Sequence, residues 1–355
     1  MTEFRIEKNQ NPKVKPDEST LGFGEIFSDH MFIADYDKEQ GWHDGRIVPF
    51  GPISLTPAAA VFHYGSEVFE GLKAYRTAEG KVQLFRPTEN VKRINVSAER
   101  VGLPLLDEQY ALDAIEELVR VDQDWVPHNE GTSLYIRPFL FAADQSLGVH
   151  GIQKAMFVII TSPVGSYYKE GLNPVSIMIE TEDVRAVKGG TGYTKCGGNY
   201  AAAVRAGEKA NEKGYSQVLW LDGVHRKYIE EVGAMNIMFK INGEIMTPML
   251  SGSILSGITR KSIIEFMASE GVKVTERLIS LDELVEAAEN GTLEEAWGCG
   301  TAAVVSPIGR LGIGGKDYII NNGKIGATTQ HIYDELTSIQ WGKTEDRFGW
   351  IVPID

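Results

Sequence analysis

The chain has 355 residues, of which 43% are hydrophobic and 24% charged, and it carries a formal net charge of −14. These proportions are typical of a globular enzyme of about two domains, and the negative charge argues against a nucleic-acid partner, because binding to phosphates needs a basic face. The two cysteines, Cys196 and Cys299, lie far apart, which excludes a disulfide framework and a cysteine-rich metal site, so no metal is expected.

The first twenty residues are polar and predict a flexible arm. They contain neither the apolar core of a secretion signal nor the arginine-rich amphipathic helix of a transit peptide. No stretch of the chain approaches the ~20 apolar residues that a membrane-spanning helix needs. We therefore expect a cytoplasmic protein with no membrane partner.

The first half of the chain predicts strands interspersed with two helices. Aromatic and β-branched residues favour strands, whereas Pro87 at a first helical position and the breakers Gly102 and Pro104 delimit a helix. The predicted strands or strand ends lie at 31–37, 58–77, 82–86, 133–142 and 154–164, and the predicted helices at 87–100 and 107–121.

A change of composition at 165–174 predicts the domain boundary. This segment, "GSYYKEGLNP", gathers Gly, Ser, Asn and Pro between two strong strand patterns. We therefore expect a small N-terminal α/β domain at 1–164, an interdomain loop at 165–174 and a large C-terminal domain at 175–355.

The second half predicts further mixed α/β structure without internal repeats. An Asn-Gly pair predicts a hairpin at 234–248, and Ser280 followed by Glu283 has the spacing of a capping box. Strands are also predicted at 175–181, 216–222 and 294–300. Helices are predicted after the turn at Lys195, ending at about 213, and at 258–270, 281–290 and 328–341.

Lys195 stands in "GGTGYTKCGGNYAAAVRAGEKA" (189–210), between glycine pairs and before a helical pattern. A lysine among glycines is often an exposed turn residue. It can also be a catalytic amine, since burial or a neighbouring cation lowers the pKa of lysine and glycines let a cofactor approach the backbone. Lys188 lies seven residues earlier but lacks the following Gly-Gly-Asn-Tyr.

Three further segments have the features of anion-binding turns. Arg86 ends a strand before Pro87, "SGITRKSII" places Ile258 and Thr259 in a first helical turn, and "GCGTAAVV" offers Thr301 and Ala302. Free N–H groups and the helix dipole favour an anion at such a turn. Each segment taken alone is equally explained by a surface arginine, ordinary helix capping or a simple turn, but together they suffice to bind a phosphate.

Glu230 and Glu231 precede Val-Gly in "YIEEVGAMNI" (228–237). Since side chains alternate along a strand, the two carboxylates point in opposite directions, and one of them could be buried. A buried carboxylate beside a pyridine nitrogen would keep that nitrogen protonated. The alternative is a pair of exposed acids at the end of a strand.

With these residues in place, the chain resembles the fold type IV enzymes that use pyridoxal 5′-phosphate (PLP), and among them the branched-chain-amino-acid aminotransferases. The resemblance covers roughly residues 20 to 350. Its motifs occur in this order: "HYGSEVFEGLKAYR" (63–76), "LFRP" (84–87), "YIRPF" (135–139), "KCGGNY" (195–200), "QVLWLDG" (217–223), "EVGAMN" (231–236), "GITRKSI" (257–263) and "GCGTAAVVSP" (298–307).

The resemblance implies a role for each matching residue. Lys195 would form the Schiff base with PLP, Tyr200 would contact its phenolic oxygen and Glu231 its pyridine nitrogen. The phosphate would be bound by Arg86, Ile258, Thr259 and Thr301. The substrate α-carboxylate would be received at Tyr64, Tyr135, Thr301 and Ala302, the substrate side chain at Phe69 and Tyr193, and the distal carboxylate of glutamate at Arg137.

The implied protein is a mixed α/β homodimer with two domains and the cofactor at their interface. It would transfer the amino group of L-leucine, L-isoleucine or L-valine to 2-oxoglutarate by a ping-pong reaction. A D-amino-acid aminotransferase or aminodeoxychorismate lyase would share the fold and Lys195, but such relatives are generally shorter. A non-catalytic binding protein is the third alternative.

One departure from the family concerns the cysteines. Some eukaryotic relatives carry a Cys-x-x-Cys redox switch after the Gly-Thr-Ala turn. Here the matching positions are Ala303 and Ser306, so the resemblance implies that no such switch forms in this chain.

Overall fold

The computed structural model describes residues 2–165 and 172–354. Its strands are β1 (Arg5–Ile6), β2 (His30–Asp37), β3 (Gly41–Pro49), β4 (Glu67–Phe69), β5 (Leu72–Arg76), β6 (Val82–Phe85), β7 (Ser133–Ala142), β8 (Lys154–Val164), β9 (Val175–Ile179), β10 (Gln217–Leu221), β11 (Ile229–Val232), β12 (Met235–Ile241), β13 (Glu244–Pro248), β14 (Val274–Arg277), β15 (Leu293–Gly300), β16 (Val304–Ile313), β17 (Lys316–Ile319) and β18 (Ile351–Ile354). Its α-helices are α1 (Ala60–Tyr64), α2 (Pro87–Arg100), α3 (Glu108–Val121), α4 (Gly197–Ala201), α5 (Val204–Glu212), α6 (Ile258–Ser269), α7 (Leu281–Glu289) and α8 (Ala327–Gln340). No helix in the described parts of the chain is both long and apolar enough to cross a membrane.

The chain forms two compact units. Unit 1 comprises Met1–Lys169, Thr194–Gly197 and Ser338–Asp355, and unit 2 comprises Glu170–Tyr193 and Gly198–Thr337. The mixed α/β architecture agrees with the expected fold class. The predicted domains are contiguous, whereas in the structure the segments 194–197 and 338–355 belong to unit 1. Most of the predicted interdomain loop, residues 166–171, lies outside the described residues.

Unit 1 is built on one sheet in the order β1-β3-β2-β8-β7-β5-β6-β18, with β4 paired to β7. α2 and α3 supply apolar side chains three and four positions apart, which fall on one helix face and enter the core of this unit. The buried members are Val91, Ile94 and Ala98 on α2 and Ala111, Ile115 and Leu118 on α3.

In unit 2 the sheet closes on itself. Strands follow the order β11-β10-β9-β16-β15-β12, and β11 also pairs with β12, so these strands form a closed ring. β13 and β14 extend the sheet from β12, and β17 pairs with β16. A closed ring has fewer unpaired strand edges than an open sheet. The loops between its strands therefore start and end on hydrogen-bonded backbone.

Most predicted elements are confirmed within a few residues, including the strands at 133–142 and 154–164 and the helix at 87–100. The hairpin turns at Asn242 and Gly243, which have φ angles of 50° and 76°, as a two-residue turn between antiparallel strands requires.

One predicted strand segment is partly wrong. Residues 58–77 are not all extended, because Ala60–Tyr64 forms the short helix α1, which Gly65 ends in the left-handed conformation with φ 58°. The aromatic residues of this segment favour strands only where a neighbouring strand pairs with them.

The N-terminal segment predicted to be a flexible arm is docked on unit 1. β1 pairs in parallel with β3, the Asn9 N–H donates to His30 Nε2 at 2.8 Å, and the Lys13 N–H donates to Asp29 at 2.8 Å. The prediction of a flexible arm rests on polar composition alone. Backbone hydrogen bonds and buried acceptors on unit 1 hold this segment in place.

Candidate functional site

Lys195 lies on backbone that is hydrogen-bonded on two sides within unit 1. The Phe69 N–H donates to the Lys195 carbonyl at 2.9 Å, and the Lys195 N–H donates to Ser97 Oγ on α2, also at 2.9 Å. Next to it, Cys196 forms a β-bridge with Val68. This lysine therefore has a half-buried side chain on a fixed backbone, not the freedom of an exposed turn.

A cluster of aromatic and cationic side chains surrounds the amine. The Nζ of Lys195 and the Cζ of Arg137 each lie 4.7 Å from the centroid of the Phe69 ring. Arg137 Nη2 also donates to the Tyr135 hydroxyl at 3.1 Å. Each cation is attracted by the ring, so Phe69 contacts two positive groups.

Arg137 retains unused hydrogen-bonding capacity. Its Nε atom is buried and has no hydrogen-bond partner in the described structure. A buried guanidinium N–H without an acceptor is costly, and a planar guanidinium matches a carboxylate. The geometry thus suits an incoming acid.

Glu67 is an acid near this cluster. Its carboxylate accepts the N–H of Gly197 at 3.1 Å. Burial raises the pKa of Glu67 above its ordinary value, although the Gly197 hydrogen bond and the Arg137 and Lys195 cations oppose the rise. The carboxylate holds the backbone just after Lys195.

Arg86 is buried and lies on strained backbone. It is 8% exposed, which rules out the alternative of a surface arginine. Its φ and ψ of 50° and 43° are left-handed, a conformation rare for a residue that is not glycine. The Arg86 N–H donates to the Trp350 carbonyl at 2.7 Å, and its guanidinium lies 5.0 Å from the Trp350 ring centroid. Such strain is concentrated at functional sites.

In unit 2, Glu230 and Glu231 are both buried, with 5% and 4% exposure, so the alternative of two exposed acids is wrong. Glu231 Oε1 accepts the Leu255 N–H at 2.7 Å, and its Oε2 lies 3.2 Å from Arg185 Nε. Glu231 is thus a buried carboxylate held by a backbone N–H and by a cation.

Glu230 has a different environment. Ser253 Oγ donates to its Oε1, and its Oε2 is buried without a hydrogen-bond partner in the described structure. Burial raises the pKa of Glu230, with hydrogen bonding from Ser253 opposing the rise. The two neighbouring acids therefore differ in their contacts: Glu231 lies in ion-pair contact with Arg185, whereas Glu230 accepts a hydrogen bond from Ser253.

The helix α6 presents a start suited to an anion. Gly257 is its N-cap and supplies no side-chain hydrogen bond. A Cβ at Gly257 would overlap Asn236 Oδ1, so only glycine allows this approach. Ile258 and Thr259 follow, both buried, with first-turn N–H groups where a phosphate is favoured.

The turn at Thr301 and Ala302 is strained at its end. Val304 has a φ of 61°, an outlier for a β-branched residue. This turn joins β15 to β16, and Cys299 of β15 pairs with Asn236. Asn236 therefore lies between this turn and the start of α6, and its Nδ2 donates to the Leu255 carbonyl at 2.9 Å.

The remaining candidate residues are tyrosines. Tyr200 lies on α4, and Tyr193 is half-buried just before the Lys195 segment. Thr191 Oγ1 donates to Asn199 Oδ1, and Asn199 Nδ2 donates to the Thr191 carbonyl, both at 2.8 Å. Tyr64 ends α1, is 43% exposed, and donates from its hydroxyl to the Leu147 carbonyl.

Each unit thus gathers a part of the candidate set. Unit 1 brings Phe69, Tyr135, Arg137 and Lys195 together, and unit 2 brings Glu231 close to the loop that starts α6. Sequence reasoning missed Arg185 and Asn236. Asn236 stands in the quoted motif "EVGAMN", which was a usable signal, whereas Arg185 stands in a loop pattern that gave none.

Comparison with known proteins identifies the family of this chain. The family model described as "Amino-transferase class IV" matches residues 67–311. "Branched-chain-amino-acid aminotransferase 2" of Bacillus subtilis (strain 168) is 53% identical, covering 99% of this chain and 97% of that protein. "Branched-chain-amino-acid transaminase 1" of the same organism is 54% identical, covering 98% of each.

A solved structure shares the fold. The T.th. branched-chain amino acid aminotransferase, crystallised with pyridoxamine 5′-phosphate, superimposes with a TM-score of 0.77 and is 25% identical. The match covers 93% of this chain and 100% of the other. The chain therefore has the same mixed α/β fold as the T.th. aminotransferase.

Proposed function

This chain belongs to the class IV aminotransferase family, among the branched-chain-amino-acid aminotransferases, and from that premise we propose that it transfers the amino group of L-leucine, L-isoleucine or L-valine to 2-oxoglutarate. The reaction is ping-pong, so one site takes each substrate in turn. The observation that best supports this function is the cluster at Lys195. There the Phe69 ring contacts both the amine of Lys195 and the guanidinium of Arg137, whose Nε has no hydrogen-bond partner in the described structure.

The proposed cofactor is PLP, the aldehyde counterpart of the pyridoxamine 5′-phosphate in the T.th. structure. When bound, PLP supplies a conjugated ring that withdraws electrons from the bonds at the substrate Cα. We assign its phosphate to Arg86, Thr301 and the first-turn N–H groups of Ile258 and Thr259. The glycine approach at Gly257 and the strained Arg86 and Val304 support that assignment.

Two side chains hold the rest of the cofactor in this proposal. Glu231 accepts the ring N–H, and a buried carboxylate there keeps the nitrogen protonated. Tyr200 donates to the phenolic oxygen. These roles remain predictions for this chain, and the buried position of Glu231 supports the first.

Lys195 is the proposed catalytic residue. Its amine would hold the cofactor through the aldehyde carbon, and its nitrogen would hold or move a proton at the substrate Cα. The hydrogen bonds with Phe69 and Ser97 fix the backbone of Lys195. The four methylene groups of its side chain let the nitrogen move between the cofactor and the substrate Cα.

The substrate side is assigned to the aromatic and cationic residues. The α-carboxylate is received by Tyr64, Tyr135 and the Thr301–Ala302 turn. Phe69 and Tyr193 contact the aliphatic side chain, because removing apolar surface from water favours binding. Arg137 receives the distal carboxylate of 2-oxoglutarate or glutamate with its unpaired Nε, directly or through water.

We also propose a homodimer. Phe62, Tyr64, Leu147 and Val149 are large apolar residues with exposures of 62%, 43%, 69% and 82%, and the Tyr64–Leu147 hydrogen bond brings the two segments together. Apolar patches of this kind mark interaction surfaces. A second copy would cover this patch. The cytoplasmic location stays a prediction.

A spectrum and one assay test this function. The purified protein with added PLP should develop an absorbance band near about 410 nm, as expected of the cofactor joined to a protonated lysine nitrogen. It should then turn over L-leucine with 2-oxoglutarate but not D-alanine. Turnover of D-alanine alone would favour a D-amino-acid aminotransferase, and a protein that gains no band would favour a non-catalytic binding protein.

A further inference from the structure

Arg185 makes contacts to three segments that the proposed function uses. Its Nε lies 3.2 Å from Glu231 Oε2, an ion-pair contact without the geometry of a hydrogen bond. Its Nη2 donates to the Ser253 carbonyl, in the loop before α6, and to the Gly192 carbonyl at 3.3 Å, three residues before Lys195. The side chain is 7% exposed, so a single buried guanidinium contacts all three.

The backbone at Gly192 and the backbone at Ser253 pack closely against each other beside Arg185. A Cβ at Gly192 would overlap the Ser253 carbonyl oxygen, so the two segments are packed backbone to backbone beside the guanidinium. Ser253 also donates its hydroxyl to Glu230. The loop before α6 is therefore held by Arg185 on its carbonyl and by Glu230 on its side chain.

The charge of Arg185 acts on both acids of this cluster. Arg185 is in ion-pair contact with Glu231, and together with Ser253 it opposes the rise that burial causes in the pKa of Glu230. Burial raises the pKa of the neighbouring Cys299 thiol to about 12. Arginine stays charged in proteins. A buried carboxylate without a cation would instead tend to take up a proton and could not serve a protonated ring nitrogen.

We propose that Arg185 is a positioning residue of the amino-transfer site, which fixes the carboxylate of Glu231 and joins the segment before Lys195 to the loop before α6. The inference rests on the proposed function. It adds a residue that touches neither substrate nor cofactor and acts through Glu231 and two carbonyl oxygens. Residues that orient the ligands of a metal ion change affinity or activity about 10- to 100-fold when they are mutated, and we expect an effect of the same order at Arg185.

The first test is a double-mutant cycle on the PLP-free protein. The variants are Arg185→Gln, Glu231→Gln and the two combined, and the readout is the dissociation constant for PLP from absorbance titration. Arg185→Gln should weaken binding about tenfold. The double variant should lose clearly less than the product of the two single losses, because both act on one contact. Losses that multiply to within about twofold would overturn the proposal.

The second test uses 1-deazapyridoxal 5′-phosphate, which lacks the ring nitrogen. Arg185→Gln should weaken the binding of PLP more than that of this analogue, because only PLP uses Glu231. Equal losses for both ligands would overturn the positioning role through Glu231 and leave a purely structural one. Arg185→Lys keeps the charge but not the planar fork, and should show the same preference more weakly.

The controls separate the possible failures. Arg205→Gln removes a surface arginine, paired with Asp183 and 71% exposed, and should bind both ligands like the unmodified protein. If Arg185→Gln does not fold, Arg185→Lys is compared in its place, and unchanged discrimination between the two ligands there overturns the proposal. An unmodified protein that binds no PLP would instead refute the proposed function itself.

Discussion

The guanidinium of Arg93 encloses the carboxylate of Glu70, with Nε 2.7 Å from Oε1 and Nη2 2.9 Å from Oε2. Asn90 and the Gly71 N–H also donate to Oε2, at 2.7 and 3.0 Å. Burial raises the pKa of Glu70, but Arg93 and the hydrogen bonds outweigh it, and the pKa lies below the ordinary range. This pair fixes α2 to the segment that follows Phe69.

Glu70→Gln should therefore destabilise the protein by about 3–5 kcal/mol, because it leaves the buried Arg93 charge without its partner. Urea unfolding of the variant measures this free energy of unfolding. Glu79→Gln, at an exposed carboxylate in the same unit, is the matched control and should change little. A loss no greater than that of the control would mean that the pair contributes nothing to stability.

The same pair predicts a pH dependence. The pKa of Glu70 is lower in the folded state, so its contribution is fully present above the unfolded value of about 4.3 and is lost as pH falls through the folded value. The stability difference between the unmodified protein and Glu70→Gln should shrink below about pH 4. Unfolding midpoints measured between neutral and acidic pH would show it.

Lys195→Ala should keep PLP bound through the phosphate contacts and lose at least ~10³-fold in rate, because its covalent and proton-transfer roles both vanish. Turnover with L-leucine measures the loss. Lys188→Ala is the control, since Lys188 is exposed and seven residues away, and it should remain active. Near-normal turnover by Lys195→Ala would end the assignment of the catalytic lysine.

Arg137→Gln should separate the two kinds of substrate. The guanidinium and a distal carboxylate form a charge-supported hydrogen bond worth about 1.5–3 kcal/mol, which leucine lacks. The change should lower kcat/KM for glutamate and 2-oxoglutarate roughly ten- to hundredfold, and alter the leucine half-reaction only a few-fold. Stopped-flow half-reactions with each amino acid give both values.

A matched arginine makes that result interpretable. Arg5→Gln removes an exposed arginine of unit 1 that pairs with Asp44, and should leave both half-reactions unchanged. Equal losses for leucine and glutamate in Arg137→Gln would assign Arg137 to the fold or the cofactor. No loss for either would mean that the second carboxylate binds elsewhere.

Mild peroxide should not inactivate the enzyme through a local disulfide. Ala303 and Ser306 stand where a Cys-x-x-Cys pair occurs in some relatives, and both cysteines are buried. Burial raises the pKa of the Cys299 thiol to about 12, which suppresses the reactive thiolate. Inactivation fully reversed by dithiothreitol and accompanied by an intrachain disulfide on mass spectrometry would contradict this.

The sequence predicted the parts of the site that depend on local pattern. The glycine pairs around Lys195 predict a special turn, Gly257 predicts the start of a helix, and Pro87 predicts the helix after Arg86. The sequence could not show that Glu230 and Glu231 are both buried, because alternation alone places them on opposite faces. It also missed Arg185, whose three partners lie at 192, 231 and 253 and become neighbours only through tertiary packing.

The fold shows the same division. Elements with a clear period, such as α2 and β7, were predicted with their observed ends. β3 was missed because "GWHDGRIVP" alternates weakly and draws its stability from pairing with β2. The helix at Ala60–Tyr64 was mistaken for strand because five residues give too short a period to distinguish the two.

The membership of segment 194–197 in unit 1 has a consequence for biosynthesis. The Gly197 N–H finds its acceptor Glu67 130 positions earlier in the chain, so β4 leaves the ribosome well before the segment that bridges to it. At about 5–20 residues per second, the interval is roughly 7 to 26 s. During that time the edge of β4 lacks the partner that Cys196 provides in the folded chain, so the backbone around the lysine can reach its final position only after residue 197 has been synthesised.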